Sequence, residues 1–209
     1  MRIAIIDCGA GNLHSVRKAF THVSVPLGAR VEVTTSPDTL ARATHIVLPG
    51  VGTYADCMQG LLGHAGLREA LEQRVLKENI PLFGICVGMQ MLFERGHEFG
   101  TTEGLGWFKG EVRKMTPVDD ALRIPHMGWN TLKLHRPHPL FDGVAEGAHA
   151  YFVHSYHATG AQADDVLASV DYGGDIVACI GRGNIVATQF HPEKSQQIGL
   201  RIIENFVRM

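Results

Sequence analysis

The stretch Ile80-Pro81-Leu82-Phe83-Gly84-Ile85-Cys86-Val87-Gly88 admits few folds. It is an apolar strand followed at once by Met89-Gln90-Met91-Leu92-Phe93, which has the character of a helix start. A strand that turns into a helix through G-x-C-x-G is a nucleophile elbow with cysteine in the usual serine position. Glycines flank the cysteine because its backbone is strained and crowded, so a Cβ at either flank would clash. The helix start aims its N–H groups and positive dipole end at the sulfur, which favours thiolate over thiol. A buried structural cysteine can share this local sequence, since free cysteine is among the most buried residue types. A catalytic reading therefore needs a base from elsewhere in the chain.

That base is supplied more than a hundred residues downstream. Asn184 to Phe190 has the pattern of a strand, and His191-Pro192-Glu193 closes it. Pro192 cannot continue a ladder and biases His191 towards an extended conformation, leaving the imidazole at the strand tip. Spacing of two in an extended segment puts His191 and Glu193 on one face. The carboxylate can then hold one ring nitrogen while the other faces a nucleophile, the logic of a Cys86–His191–Glu193 triad.

The surrounding pattern gives the triad a scaffold. Arg2 to Asp7, Val31 to Thr34 and His45 to Leu48 are short apolar strands. Helical patterns separate them: Asn12 to Phe20 with Asn12 as cap, a short helix from Ser36-Pro37, then Tyr54 to Leu62 and Leu67 to Asn79. Alternation of this kind predicts an α/β fold with a single open, mostly parallel sheet flanked by helices on both faces. From Gly106 onward strands and turns alternate (Lys109 to Met115, Thr131 to His135, Ala150 to Tyr156), giving an antiparallel extension in the C-terminal half. Ile176 to Ile180 and Ile185 to Phe190, joined by Gly181-Arg182-Gly183, predict a hairpin. Gln196 to Arg208 predicts an amphipathic closing helix. With no linker, repeat or low-complexity run in 209 residues, one domain over 1–209 is the expectation.

Other function classes are disfavoured by composition. A formal net charge of -2, without long blocks of like charge, argues against a nucleic-acid surface. No apolar run reaches the roughly 18 residues a membrane span needs, and Met1 to Asp7 is too short for a signal peptide. The four cysteines form no C-x-x-C and are expected as reduced thiols in a cytoplasm. The twelve histidines lack H-E-x-x-H spacing, and His154 and His157 would point to opposite faces of a strand, so no metal is expected. Gly9-Ala10-Gly11 starts like a dinucleotide fingerprint, but His14 stands where the third glycine belongs, and a tight βα turn fits better.

Pro49-Gly50-Val51-Gly52 leaves the end of a strand as Cys86 does, and in open α/β sheets ligands bind beyond such ends. Gly50, Val51 and Gly52 are therefore oxyanion-donor candidates beside the Val87 N–H. Gln90, four residues after Cys86, shares its helix face and is a substrate-holding candidate.

Gly84 to Gln90 and Gln189-Phe190-His191-Pro192-Glu193-Lys194-Ser195 resemble the two signatures of the class I, triad-type glutamine amidotransferases. The resemblance narrows to the branch of glutaminase subunits that serve imidazole glycerol phosphate synthases. It does so through Asp7 to Leu13, Leu48 to Gly52, Pro125-His126-Met127-Gly128-Trp129-Asn130 and Tyr151 to Tyr156, and it runs essentially end to end. Cys8 departs from the tyrosine more usual there. The resemblance implies a flavodoxin-like amidotransferase fold, with glutamine hydrolysed to glutamate and ammonia through a cysteine thioester. It further implies ammonia transfer to a separate cyclase subunit built as a (β/α)8 barrel, in histidine biosynthesis, without cofactor or metal. The backbone of His154, Ser155 and Tyr156 would clamp the amino-acid end of glutamine. Asn12, Met127, Trp129, Asn130, Tyr151 and Lys194 would face the cyclase.

Overall fold

Strands that are apolar at every position must be covered on both faces, and that requirement builds the centre of the molecule. The structure is a computed structural model and describes residues 1–9, 12–118 and 121–209. β1 (Arg2–Ile6), β2 (Arg30–Thr34), β3 (His45–Gly50) and β4 (Leu82–Cys86) alternate with α1 (Leu13–Ser24), α2 (Pro37–Ala41), α3 (Tyr54–Leu62) and α4 (Leu67–Glu72). Every residue of β3 and β4 is buried. After α5 (Val87–Gln90) come the short strands β5 (Arg95–Gly96), β6 (Thr102–Glu103) and β7 (Glu111–Lys114). β8 (His126–Thr131), β9 (Lys133–Leu134), β10 (His149–His154) and β11 (Tyr156–Thr159) follow. The chain ends with β12 (Val166–Asp171), β13 (Asp175–Arg182), β14 (Ile185–Thr188) and α6 (Gln196–Val207).

The main sheet has the order β2-β1-β3-β4-β14-β13-β12-β9. It is parallel from β2 through β14 and antiparallel beyond, so the sequence expectation of a mostly parallel sheet with an antiparallel extension holds. Two small sheets, β10-β8 and β11-β7-β5-β6, lie outside it. α1 and α6 pack together over β4 through Phe20, Phe83 and Phe206, with ring centroids 5.1 to 6.2 Å apart. Edge-on aromatic contacts of this kind add to the burial of the rings themselves. Among the described residues no helix is long and apolar enough to cross a membrane.

Several boundaries differ from the sequence reading, each for a local reason. The helix expected at Met89 to Phe93 is a single turn, Val87–Gln90, and Leu92 and Phe93 close tight turns onto Met89 and Gln90. Its contribution to the cysteine is thus the few N–H groups of that turn rather than a long helix dipole. Asn12 has φ 76° and makes no side-chain cap. The expected helix over Leu67 to Asn79 is α only to Glu72 and ends in a π-helical turn, Gln73–Lys77. The strand expected at Thr131 to His135 is divided: β8 ends at Thr131 and pairs with β10, and only Lys133–Leu134 (β9) joins the main sheet. His126 to Asn130 went unread as strand because β8 turns Met127 and Trp129 outward and His126 inward, the reverse of the usual polarity. Ala150 to Tyr156 breaks at Ser155 into two strands that join different sheets. In the β13–β14 hairpin Gly181 and Arg182 remain in the ladder, so the connection is only Gly183-Asn184, with Gly183 at φ 59°. Ala10 and Gly11 of the glycine-rich turn lie outside the described residues.

The elbow is where packing is tightest. Cys86 has φ 55° and ψ −111°, a strained conformation for a residue with a side chain. A Cβ on Gly88 would sit 1.8 Å from the Leu48 carbonyl oxygen, and one on Gly84 2.9 Å from the Ala187 Cβ. The expected clash at both flanks is therefore real. Gly88→Ala is expected to lower unfolding free energy by about 3 kcal/mol or more, since the obstacle is backbone in a packed sheet. Gly106→Ala, at φ +67° in open space, is expected to cost only about 1 to 2 kcal/mol. Urea unfolding midpoints of the two variants measure the difference, and equal midpoints would refute it.

Candidate active site

Parallel strands deliver their carboxyl ends to one edge of the sheet, and here β3, β4 and β14 are neighbours in register. Gly50 pairs with Cys86, and Thr188 with Ile85, so the segments leaving β3, β4 and β14 converge. The sheet order reverses between β1 and β3, the position at which open α/β sheets form a crevice. A cavity of about 500 Å³ opens there, with Cys86 and His191 in its lining.

Hydrogen bonds at both ends of its backbone hold His191. Its N–H donates to the Tyr151 carbonyl at 2.9 Å, and its carbonyl accepts from Ser195 Oγ at 2.7 Å. Ser195 Oγ in turn accepts from the Tyr151 N–H at 3.0 Å, closing a small ring between β10 and the strand end. Glu193 lies on the 3-10 turn Pro192–Lys194 rather than in an extended segment, yet its Oε1 meets His191 Nδ1 at 2.8 Å. Asn12 Nδ2 donates to the same Oε1 at 2.7 Å, so the loop after β1 orients the carboxylate. Glu193 Oε2 is buried without a partner among the described residues.

Electrostatics fit the geometry. Burial alone would push the His191 pKa down, but the Cys86 sulfur and the Glu193 carboxylate overcome it and raise the value to about 10. The imidazolium form of His191 is thus favoured at neutral pH, with its positive charge set between the sulfur and the carboxylate. Gln189 Nε2 donates to Cys86 Sγ at 3.7 Å, a second positive dipole on the same atom. Burial pushes the Cys8 and Cys57 thiols up to about 12, and complete burial pushes Cys179 up as well. Among the described residues no three His, Cys, Asp or Glu side chains are grouped to hold a metal ion.

The remaining predicted residues separate into lining and non-lining. Val51, Gly52 and Val87 line the cavity, as do Gln90, His154, Ser155 and Tyr156. Gly50 does not; a Cβ there would meet Gly88 N at 2.7 Å, so its absence lets β3 close against the elbow. Gln90 is buried and donates to the Tyr156 carbonyl at 2.9 Å and to Gln189 Oε1 at 3.0 Å. Of the predicted partner-facing residues, Met127 and Trp129 are 62% and 47% exposed, an unusual display of large apolar area. Trp129 stacks edge-on to Tyr151, and Lys194 Nζ lies 5.8 Å from the Tyr151 ring centre. Lys194 and Asn12 line the cavity themselves, so that group runs from the exposed face into the site. Asn130 differs. Its amide is committed within the chain, to Asp171 O, the Thr131 N–H and His126.

Two groups at the site escaped the sequence reading. Gln189 is buried behind the cavity, where it reaches the Cys86 sulfur; it precedes His191 by two, and period-two spacing from the histidine would have flagged it. Glu98 lines the cavity from an irregular loop, with Oε2 accepting from the Tyr54 N–H at 2.7 Å, and carries no local signal.

A family model described as glutamine amidotransferase class-I matches residues 4–209. A relative from Rhizobium meliloti (strain 1021), named imidazole glycerol phosphate synthase subunit HisH, is 53% identical over 213 residues, covering 100% of this chain and 99% of its own. One of the same name from Ruegeria pomeroyi is 50% identical, covering 99% and 98%. A crystal structure of a glutamine amidotransferase superposes with a TM-score of 0.74 at 18% identity, covering 99% of this chain and 97% of that one. A second, from Thermotoga maritima, gives 0.67 at 16% identity, covering 100% and 83%. At such identities these two speak for the fold alone.

The contrast among the thiols is testable without any substrate. Iodoacetamide at pH 8 is expected to modify Cys86 and leave Cys8, Cys57 and Cys179 intact in the native chain. Peptide mapping by mass spectrometry reads the site, and His191→Ala is expected to slow the modification at least tenfold. Preferential labelling of Cys57 or Cys179 would contradict the assignment.

Proposed function

The chain belongs to the class-I glutamine amidotransferase family, and from that membership we infer that it is the glutaminase of an imidazole glycerol phosphate synthase. The full-length relatives are subunits of that synthase by name, so a partner subunit is implied. In this reading the partner is the cyclase, residues 1–209 act as one amidotransferase domain, and the ammonia serves histidine biosynthesis.

The observation that carries the reading is the sulfur–imidazolium–carboxylate line in a cavity sized for an amino acid. The Cys86 thiolate attacks the side-chain amide carbon of glutamine, and the carbonyl electrons move onto oxygen. Donors for that oxyanion come from the Val87 N–H and from Val51 and Gly52. His191 passes its proton to the departing nitrogen, the C–N bond breaks, and ammonia leaves behind a thioester. Neutral His191 then takes a proton from water, whose oxygen attacks the thioester carbon. Collapse expels the thiolate and frees glutamate. Glu193, held by Asn12, keeps Nδ1 protonated and the ring aimed. The backbone of His154 to Tyr156, with Gln90, holds the substrate, and Glu98 offers the carboxylate that a free amino acid's ammonium needs.

Cys86→Ser and His191→Ala are each expected to lower glutamine hydrolysis by about a thousandfold or more, with Glu193→Gln less damaging. Steady-state release of glutamate in the presence of the cyclase measures this. Small, equal effects at all three positions would remove the triad.

Free ammonia escapes into water, so hydrolysis without an acceptor wastes glutamine. The Val51 peptide, between Gly50 and Gly52 (φ 96°), can rotate between turn geometries at small steric cost. One oxyanion donor is worth about 3 to 4 kcal/mol, or roughly a hundred- to a thousandfold in rate. The isolated chain is expected to hydrolyse glutamine slowly, and cyclase with an acceptor analogue to accelerate it by a comparable factor. Full activity in the chain alone would rule out such gating.

A further inference from the structure

We propose that His126 and Asn130 are positioning residues for the substrate wall of the cavity, acting through His154 from the strand that carries Met127 and Trp129. The inference rests on the glutaminase reading and adds to it a route from the outer strand to the site.

The hydrogen bonds along this route have only one consistent direction. Asn130 Oδ1 accepts from the Thr131 N–H at 2.7 Å and its Nδ2 donates to the Asp171 carbonyl at 2.9 Å, which fixes the amide. Nδ2 is therefore also the donor towards His126 Nε2 at 3.2 Å. With Nε2 accepting, His126 carries its proton on Nδ1 and donates to His154 Nε2 at 3.0 Å. His154 then holds its proton on Nδ1 and donates to the Tyr156 carbonyl at 2.9 Å. The same carbonyl accepts from Gln90 Nε2, which also donates to Gln189 Oε1 and so leaves Gln189 Nε2 for the Cys86 sulfur. Reversing any one link sets two donors or two acceptors face to face in a buried site, where a mismatch is most costly.

Packing holds the rings in place. His126 is stacked between Tyr172, 3.9 Å away centre to centre, and Phe152, 4.8 Å away. Both histidines are buried, and burial keeps them neutral, His126 down to about 4 and His154 to about 3. β8 alternates strictly, with Met127 and Trp129 turned out while His126 and Asn130 turn in. A contact that shifts this strand thus moves the donor that sets the Tyr156 carbonyl, and with it the backbone of His154 to Tyr156.

The test is Asn130→Asp, nearly isosteric but unable to donate to His126. Histidine-selective ¹⁵N NMR of the wild-type chain is expected to find both His126 and His154 as neutral Nδ1–H tautomers, with His126 switching to Nε2–H in the variant. With saturating cyclase, the variant's KM for glutamine is expected to rise about tenfold while kcat stays within about threefold. His126→Leu, which keeps both anchors of Asn130, is expected to show the same split should Asn130→Asp not fold. An Nε2–H tautomer at either histidine in the wild type would overturn the proposal, as would a switched tautomer with unchanged KM. Absence of glutamine hydrolysis by the wild-type complex would instead remove the glutaminase reading, leaving the tautomer result standing.

Discussion

Everything at the site depends on how closely the Cys86 turn approaches β3. Gly88 comes so near the Leu48 carbonyl that no side chain fits, and a Cβ on Gly50 would meet Gly88 N at 2.7 Å from the other side. This mutual approach holds Cys86 in a backbone conformation it would not adopt alone. It also brings the loop after β3 beside the sulfur, so nucleophile and oxyanion candidates are set by one contact. The cost is borne by the strongest part of the sheet, where β3 and β4 are buried along their whole length.

The second constraint is burial of charge. His191 and the Glu193 side chain are almost wholly removed from solvent, and an unpaired ion there would be expensive. Each charge meets an opposite one or a dipole: His191 lies between the sulfur and Glu193, and Glu193 also takes the Asn12 amide. Asn12 thus serves the triad first, whatever it does at the cavity mouth. Its left-handed backbone, which spoils it as a helix cap, turns the amide towards Glu193.

The parts of this architecture legible in the sequence were those encoded within a few residues. G-x-C-x-G specified the elbow, and the wholly apolar runs specified β1, β3, β4 and β14. His-x-Glu specified the base and its orienter even though Glu193 lies on a 3-10 turn, because His191 keeps an extended backbone at that turn's N-cap and the two side chains still meet. What stayed hidden was non-local or inverted. β8 presents its large apolar residues to solvent, so a rule that buries Met and Trp cannot find it. Glu98 reaches the cavity from an irregular loop, and the committed amide of Asn130 depends on Asp171 and His126, brought near only by folding. The short α5 was overestimated because Met91, Leu92 and Phe93 are buried by tight turns that leave the same apolar signature as a helix.

The inverted polarity of β8 has a physical logic. A strand with only two apolar side chains outward and two polar ones inward is poorly suited to a core, since His126 and Asn130 need partners that apolar residues would not. The molecule supplies them in full, down to a defined proton on each imidazole, and stacks His126 between two aromatic rings. Meanwhile Met127 and Trp129 lie exposed, with Trp129 against Tyr151, whose ring also faces Lys194. This is apolar area that becomes favourable only when covered. One strand therefore combines a surface that gains from docking with an interior whose hydrogen bonds reach the substrate wall. Because neither face can shift without the other, whatever covers Met127 and Trp129 acts on the same strand that orients the Tyr156 carbonyl.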